Sequence, residues 1–127
     1  MAGKIMNGYN VVRLFSYNHP ELDLEAEISA LKTKLRDVET ATRIDLLFGM
    51  EGSAAKVYFD AFGKMLPGGF AFPGRKKHPP TDPVNARLSL SYTMVFNEIS
   101  SLLDGLGFDP YLAYYHSIDY GRGIPCL

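Results

Sequence analysis

The 127-residue sequence predicts an all-α fold organised as a single helical domain over residues 1–127. Two observations predict this class: apolar residues recur at spacings of three and four in several segments, and no alternating run is long enough to require a sheet. With 46% apolar side chains, a chain of this length should bury about two-thirds of the surface that its unfolded form exposes. The composition therefore suffices for a hydrophobic core.

Helical periodicity defines the first two elements. Residues 4–17 predict a helix that is weakened by Gly8 and ended by the sequence at 18–20. A stripe of apolar residues separated by charged ones predicts the second helix more clearly: Leu24, Ile28, Leu31, Leu35 and Val38. Its start is expected to be capped by Asp23 or Glu21.

A third helix is expected to begin at Glu51, after a short helical turn over residues 43–48 and Gly49. Its apolar face is formed by five residues: Ala54, Ala55, Tyr58, Phe59 and Phe62. A carboxylate in the first turn of a helix is stabilised by about 0.3–1 kcal/mol by free amides and the helix dipole. Stabilisation of the helix start would therefore explain a glutamate at position 51 without any role in metal binding or catalysis.

A long loop separates the third helix from the fourth. Five prolines and three glycines between Pro67 and Pro83 exclude a regular element there. Asp82 is then predicted to cap a fourth helix, with Pro83 at its first position. Apolar residues along 84–103 predict that this is the central helix, and two glycines, at 105 and 107, are expected to end it.

Charge and cysteine content restrict the function classes. The net charge of −1 argues neither for nor against a nucleic-acid partner, but residues 56–87 hold six basic side chains and only two acidic ones. That segment either faces phosphates or simply solvates a loop. A single cysteine, Cys126, excludes an intrachain disulfide and a cysteine zinc cluster. The sequence predicts a cytoplasmic protein without a membrane span.

Two side chains are candidates for metal chemistry. Glu51 offers a hard anionic oxygen, and His116 offers an imidazole nitrogen that suits Mn²⁺ better than Mg²⁺. They are separated by 65 positions, so they form a site only if folding brings them together. Otherwise His116, at the end of an aromatic run, is a hydrogen-bonded structural residue.

Three segments together resemble the CRISPR adaptation integrase family, the larger catalytic protein of the spacer-acquisition complex. They read FGMEGSAAKVYFDAF, FPGRKKHPPTDPVNARLSLSYTMVFNEI and GFDPYLAYYHSIDYGR. The resemblance covers nearly the whole chain and implies that family's C-terminal helical catalytic domain. The N-terminal β-rich domain is not represented, and the chain stops before the family's last metal ligand.

The resemblance implies roles for individual residues. Glu51 and His116 match the first and second ligands of a Mg²⁺ or Mn²⁺ ion, while the third, an acidic residue, would lie beyond Leu127. The family's basic loop is matched by Arg75, Lys76 and Lys77, and the polar positions of the helix that borders its site are matched by Asn85, Ser89 and Tyr92. Of these six residues, all except Ser89 are expected to contact DNA. Departures from the family pattern occur at His78, Arg87 and Ser91.

The activity implied for the complete protein is metal-dependent DNA cleavage and insertion of new spacers into the CRISPR array by phosphodiester transesterification. The implied partners are spacer-precursor and repeat DNA, the small ferredoxin-like CRISPR adaptation protein, and a second copy in a homodimer. This chain alone is expected to be inactive, and exposed apolar surface on its fourth helix is expected to cause self-association. The alternative is a non-catalytic helical module that binds DNA or another protein.

Overall fold

The computed structural model describes residues 1–76, 79–80 and 82–109. Its helices are α1 (Ala2–Asn18), α2 (Glu25–Thr40), α3 (Ile44–Met65) and α4 (Pro83–Gly105). The described residues contain no strand, which confirms the all-α class. The chain divides into two compact units, Met1–Lys76 and Lys77–Leu127. Since two such units can belong to one domain, a single domain over 1–127 stays a prediction.

Helices α1, α2 and α3 pack on one another in the first unit. Their shared core contains the predicted stripe of α2 together with small and β-branched residues of its neighbours: Ile5, Val12, Leu24, Leu31, Leu35, Val38, Ala54 and Ala61. Leu24, Leu31 and Val12 are 1% exposed or less. The three-and-four spacing of α2 therefore identified its buried face correctly.

Polar contacts between α2 and α3 show how these helices run. Lys64, near the end of α3, bonds Glu27, near the start of α2, with Nζ 2.6 Å from Oε1. Lys34, further along α2, donates to Ser53, earlier on α3, at 2.9 Å. The start of α2 thus lies beside the end of α3, and a later part of α2 lies beside an earlier part of α3. The two helices are therefore antiparallel.

The start of α2 is held by the turn before it. Leu24 occupies the N-cap position, and Asp23 Oδ1 accepts a hydrogen bond from the amide of Glu25 at 3.3 Å. Neither Asp23 nor Glu21 is the N-cap, and no side chain caps the helix from that position, so the predicted cap was wrong. Glu21 instead bonds the ring of His19, and its own backbone amide, followed by that ring, lowers the pKa of the Glu21 carboxyl.

Helix α3 is longer than predicted. It begins at Ile44 and continues without interruption to Met65, so the expected separate turn over residues 43–48 and a helix start at Glu51 were wrong. Gly49 and Gly52 lie inside the helix, where each costs about 1 kcal/mol relative to alanine. Packing against α1 and α2 outweighs this local cost. Glu51 lies two turns into the helix, which removes the first-turn explanation for it.

The segment after α3 returns to pack on that helix. The ring of Phe72 lies 5.4 Å from the ring of Phe62 and 6.2 Å from that of Phe59, measured between centroids. A Cβ added at Gly63 would lie 3.3 Å from the Phe72 ring, so the absence of a side chain there allows the approach. These aromatic contacts attach the loop to α3 just before Arg75.

Helix α4 begins as predicted. Asp82 is its N-cap and accepts a hydrogen bond from the amide of Asn85 at 2.8 Å, with Pro83 in the first turn. Such a cap stabilises a helix by about 1 kcal/mol relative to alanine. This helix start could be predicted from the sequence because the residues that form the cap lie within four positions of one another.

The end of α4 is a Schellman turn, which confirms the predicted glycine stop. Phe108 donates to the carbonyl of Leu103 at 2.9 Å, and Gly107 donates to that of Asp104 at 3.0 Å. Gly107 adopts a φ of 81°, a conformation that favours glycine because it carries no Cβ. Leu106 occupies the C-cap position.

The buried residues of α4 lie at its start, and a central place for this helix in the domain stays a prediction. Among its residues only Val84 and Asn85 are buried. Large apolar side chains on it and just after it are exposed: Leu90, Tyr92, Met94, Val95, Leu102, Leu106 and Phe108. They are spread around more than one face of the helix, so no single contact could cover them all. Of the helices formed by the described residues, none combines the length and apolar character that crossing a membrane requires.

Candidate metal and nucleic-acid site

Glu51 projects from the second turn of α3 toward α1. Its Oε1 accepts a hydrogen bond from Nζ of Lys4 at 3.0 Å, which is also an ion pair. The Glu51 side chain is 22% exposed and that of Lys4 is 53% exposed. The carboxylate of Glu51 is therefore mostly shielded from solvent, and its partner is the ammonium of Lys4.

Helix α1 presents Lys4 through the packing of its first turns. The next residue, Ile5, is 5% exposed and belongs to the core. One turn further along α1, a Cβ added at Gly8 would meet the Tyr58 ring at 3.2 Å. The contacts advance from Lys4 to Gly8 on α1 and from Glu51 to Tyr58 on α3, so these two helices run parallel. Gly8 permits the close approach that places Lys4 beside Glu51.

The Glu51 carboxylate fits a hard divalent cation as one ligand. Carboxylate oxygens are the donors that Mg²⁺ and Mn²⁺ prefer, and an oxygen that holds an ammonium at 3.0 Å is in a position that favours positive charge. Within residues 1–76, 79–80 and 82–109, no three His, Cys, Asp or Glu side chains are grouped as a metal site. Glu51 thus supplies one donor of an incomplete set.

His116, the second predicted ligand, lies outside the described residues, so its separation from Glu51 stays a prediction. Other carboxylates of α3 are used locally. Asp45 pairs with Arg43, and Asp60 pairs with Lys56 one turn away at 2.9 Å. Among these three acidic side chains of α3, Glu51 is the one whose partner lies on another helix.

The basic loop is described in part. Arg75 is half-buried, and its Nη1 donates to the carbonyl of Lys76 at 2.7 Å, while Lys76 is exposed. Lys77 lies outside the described residues. The Phe72 contacts with α3 hold the start of this segment, so Arg75 and Lys76 follow an anchored part of the loop. Their DNA-binding role stays a prediction.

Asn85 and Tyr92, the predicted polar positions of α4, occupy different environments. Asn85 is completely buried, and its Nδ2 donates to Asp82 Oδ2 at 2.7 Å, while its backbone amide donates to Oδ1. Asn85 donates both of these hydrogen bonds and Asp82 accepts both, which secures the helix start. Tyr92 is 48% exposed and therefore accessible to a ligand. A DNA contact by either residue stays a prediction.

Sequence reasoning missed the partner of Glu51. Lys4 and Glu51 are 47 positions apart and belong to different helices. No local motif joins them, and a lysine in the first turn of a helix is an ordinary surface residue. Only the parallel packing of α1 and α3 shows that the two charges meet.

Comparison with known proteins identifies a family. The family model for CRISPR associated protein Cas1 matches residues 1–124. The chain is 47% identical over 92 residues to CRISPR-associated endonuclease Cas1 3 of Thermus thermophilus, covering 72% of this chain and 28% of that protein. It is 39% identical over 102 residues to CRISPR-associated endonuclease Cas1 1 of Thermodesulfovibrio yellowstonii, covering 80% of this chain and 32% of that protein. The chain thus spans about a third of the length of these relatives.

Solved structures share the fold. A chain of a Cas6-RT-Cas1--Cas2 complex matches 96% of this chain with a TM-score of 0.85 and 30% identity, over 13% of its own length. A chain of a partial Cas6-RT-Cas1--Cas2 complex matches the same share with a TM-score of 0.85 and 32% identity, over 36% of its own length. The helical arrangement is therefore one that these larger chains contain.

Proposed function

The chain belongs to the CRISPR-associated Cas1 family, and we propose that it forms part of a divalent-metal-dependent DNA endonuclease and integrase that inserts new spacers into a CRISPR array. The observation that carries the proposal is the position of Glu51. Its carboxylate, in the second turn of α3, is largely shielded from solvent and forms an ion pair with the ammonium of Lys4. The names of the matched relatives, CRISPR-associated endonucleases, support the nuclease activity.

The proposed reaction is a transesterification. The 3′-hydroxyl oxygen of a spacer precursor attacks a phosphodiester phosphorus at the repeat, the new P–O bond forms, and the repeat strand leaves with a 3′-hydroxyl. With water as the nucleophile the same step is hydrolysis. A bound Mg²⁺ or Mn²⁺ would offset charge that develops on the phosphoryl oxygens and would orient the attacking oxygen.

In this proposal one set of side chains binds the metal ion and another set binds the DNA. Glu51 supplies an anionic donor, and His116 supplies either a second donor or a general base. Arg75, Lys76 and Lys77 hold backbone phosphates without reading sequence, as cationic side chains do in most protein–DNA contacts. Asn85 and Tyr92 are the residues of α4 to which the proposal gives DNA contacts.

The proposed partners are DNA, a second copy of the chain, and the small ferredoxin-like adaptation protein. The matched structures are named as complexes that contain Cas2, which supports the protein partner. Because the proposed substrates are chromosomal and invading DNA, we assign the protein to the cytoplasm.

By itself, the 127-residue chain is proposed to have no appreciable nuclease activity. In this proposal Glu51 and His116 supply two side-chain donors, and two donors leave a divalent ion underliganded. Mn²⁺-dependent cleavage by the purified chain, abolished by a chelator, would contradict this part of the proposal.

A chimera tests the proposal directly. The segment of the Thermus thermophilus relative that matches this chain is replaced by the corresponding residues of this chain, which keeps the remainder of that protein. Glu51→Gln in the chimera should lower Mn²⁺-dependent DNA cleavage by about two orders of magnitude or more. The matched control is Asp60→Asn, which removes a carboxylate of the same helix that is paired with Lys56.

The outcomes separate the two function classes. Loss of cleavage in Glu51→Gln and retention in Asp60→Asn supports the catalytic assignment. A folded, active chimera in which Glu51→Gln cleaves normally excludes Glu51 as a ligand. A folded chimera that binds DNA but never cleaves favours the alternative, a non-catalytic helical module.

A further inference from the structure

One aromatic side chain, that of Phe72, fixes the loop after α3 to that helix. We propose, building on the proposed function, that Phe72 is a positioning residue for Arg75 and Lys76. Its packing on α3 holds this part of the basic loop in one arrangement before DNA binds. The two cations then meet backbone phosphates without first having to be ordered, and Phe72 itself contacts no phosphate.

The contact of Phe72 with α3 involves both its ring and its backbone. The ring centroid lies 5.4 Å from that of Phe62, edge to face, and 6.2 Å from that of Phe59. Aromatic pairs at these separations are favourable beyond the area that they bury. A Cβ added at Gly63 would lie 3.3 Å from the Phe72 ring and 3.8 Å from its carbonyl oxygen. Gly63 therefore leaves the space in which Phe72 lies against the helix.

The loop changes direction on both sides of Phe72. The amide of Phe70 donates to the carbonyl of Pro67 at 3.4 Å, which closes a turn. Gly69, inside that turn, has a φ of 103°, and Gly74, at a bend after Phe72, has a φ of 109°. Both conformations favour glycine, because a Cβ would make them strained. The backbone is thus bent at a defined position before the contact and at another after it.

Only a short stretch of chain separates the contact from the cations. Arg75 and Lys76 follow Phe72 by three and four residues, so their Cα atoms lie within roughly 11–14 Å of the Phe72 Cα even in an extended chain. Pro73 fixes one of the backbone torsions in between. Arg75 is half-buried, and its Nη1 donates to the carbonyl of Lys76 at 2.7 Å. Fixing the backbone at Phe72 therefore limits where both charges can lie.

Preorganisation is the physical reason for a positioning role. The segment from Pro67 to Pro83 holds five prolines and three glycines, a composition that excludes a regular element. When such a segment is ordered only on binding, the lost conformational entropy reduces the affinity. A contact made in the free protein removes part of that cost in advance. The number of phosphate contacts stays the same, since the cations are the same with or without Phe72 in place.

A purely structural role of Phe72 predicts something different. If the ring only stabilised the end of α3, its removal would lower thermal stability and leave DNA affinity unchanged. If it positions the cations, its removal weakens DNA binding at every salt concentration but leaves the salt dependence as it is. The order of the loop, the DNA affinity and the slope of its salt dependence together distinguish the two roles.

Limited proteolysis of the 127-residue chain measures the order of the loop without DNA. Trypsin cleaves after arginine and lysine, so the bonds after Arg75 and Lys76 report on the loop, whereas the bond after Lys56 lies within α3. Phe72→Ala should raise the cleavage rate at the two loop bonds by about three- to tenfold and leave the rate after Lys56 unchanged. The matched control is Phe70→Ala, which removes a ring of the same loop that is 49% exposed. Its cleavage rates should stay within about twofold of those of the parent chain.

Two further variants test the same contact. Gly63→Leu places a side chain where the Phe72 ring lies, at a helical position where leucine is favourable in itself. It should raise loop cleavage as Phe72→Ala does, while circular dichroism shows that the helices remain folded. Phe72→Leu keeps an apolar side chain against Phe62 and should restore behaviour closer to the parent chain than to Phe72→Ala.

Fluorescence anisotropy then measures the affinity of these variants for a DNA duplex at several salt concentrations. Phe72→Ala and Gly63→Leu should raise the Kd by about three- to tenfold at each concentration. The slope of log affinity against log salt concentration should not change, because no phosphate contact is removed. Arg75→Ala, by contrast, should reduce the magnitude of that slope by about 0.9. Phe70→Ala should keep the parent Kd within about twofold.

Failure of this inference is distinguishable from failure of the proposed function. If Phe72→Ala is cleaved faster in the loop but binds DNA as the parent chain does, Phe72 anchors the loop and its positioning role is wrong. Unchanged loop cleavage in both Phe72→Ala and Gly63→Leu overturns the anchor itself. If Arg75→Ala and Lys76→Ala leave affinity and slope unchanged, or if the parent chain binds no DNA, the DNA contacts of the proposed function fail and the positioning role fails with them.

Discussion

Lys64 and Glu27 join the end of α3 to the start of α2 through one oxygen only. Lys64 Nζ lies 2.6 Å from Glu27 Oε1, while Glu27 Oε2 is buried without a hydrogen bond. The Glu27 side chain is 14% exposed and that of Lys64 is 47% exposed. Lys64 also donates to the carbonyl of Asp23 at 3.3 Å, so one ammonium serves both the carboxylate and the turn before α2.

This asymmetry predicts unequal costs for the two partners. Lys64→Met should lower the free energy of unfolding by about 1–3 kcal/mol, because it leaves a buried carboxylate without its counter-ion. Glu27→Gln should cost only about 0–1 kcal/mol, since the half-exposed ammonium can be hydrated. Urea unfolding measures both, with Lys56→Met as the control on an exposed pair. A larger cost for Glu27→Gln would contradict the asymmetry.

The same pair predicts a pH dependence at the alkaline end. The hydrogen bond that Lys64 donates to Glu27 raises the pKa of Lys64 above its ordinary value. A raised folded-state pKa means that the stabilisation is fully present below the unfolded-state value of about 10.4 and is lost as the pH rises through the higher folded-state value. The stability difference between the parent chain and Lys64→Met should therefore be constant from neutral pH to about 9.5 and shrink above about 10.5. A difference that disappears below pH 9 would show that Lys64 acts otherwise.

Two glycine substitutions test the close approach of α1 to α3. Gly49→Ala should stabilise the chain by about 0.5–1 kcal/mol, because the position is helical and a Cβ there meets nothing within 4 Å. Gly8→Ala should gain nothing or lose stability, since its Cβ would lie 3.2 Å from the Tyr58 ring. Thermal unfolding monitored by circular dichroism compares them. An equal gain in stability from both substitutions would mean that the Tyr58 ring can move to accommodate a Cβ at position 8.

The basic loop is tested by the salt dependence of DNA binding. Replacing Arg75, Lys76 and Lys77 with alanine in the chimera should weaken binding to all sequences alike. Each lost phosphate contact should remove about 0.9 from the slope of log affinity against log salt concentration. Fluorescence anisotropy at several salt concentrations measures the slope. An unchanged slope would assign the three residues to loop solvation alone.

Exposed apolar residues of α4 predict self-association. Leu90 and Met94 are each 61% exposed and lie one turn apart. The double variant Leu90→Glu, Met94→Lys should shift the chain toward the monomer without unfolding it, because neither side chain is part of the described core. Sedimentation velocity over a range of concentrations checks the mass. A parent chain that stays monomeric at high concentration would contradict the prediction.

Features encoded by neighbouring residues were predictable from the sequence. The stripe of α2 identified Leu31, Leu35 and Val38 as buried, and the cap at Asp82 fixed the start of α4. The glycine stop after α4 was equally local. In each case the interacting groups lie within a few turns of one another, so spacing and residue type determine the outcome.

The sequence by itself determined the helical class, the family resemblance and the candidacy of Glu51. Tertiary structure alone decided that α3 continues through Gly49 and Gly52 and that Lys4 meets Glu51. The physical reason is the range of the forces involved. Caps and apolar periodicity involve residues within a turn or two of one another. The continuation of α3 through two glycines depends instead on how whole helices pack, and so does the ion pair between residues 47 positions apart.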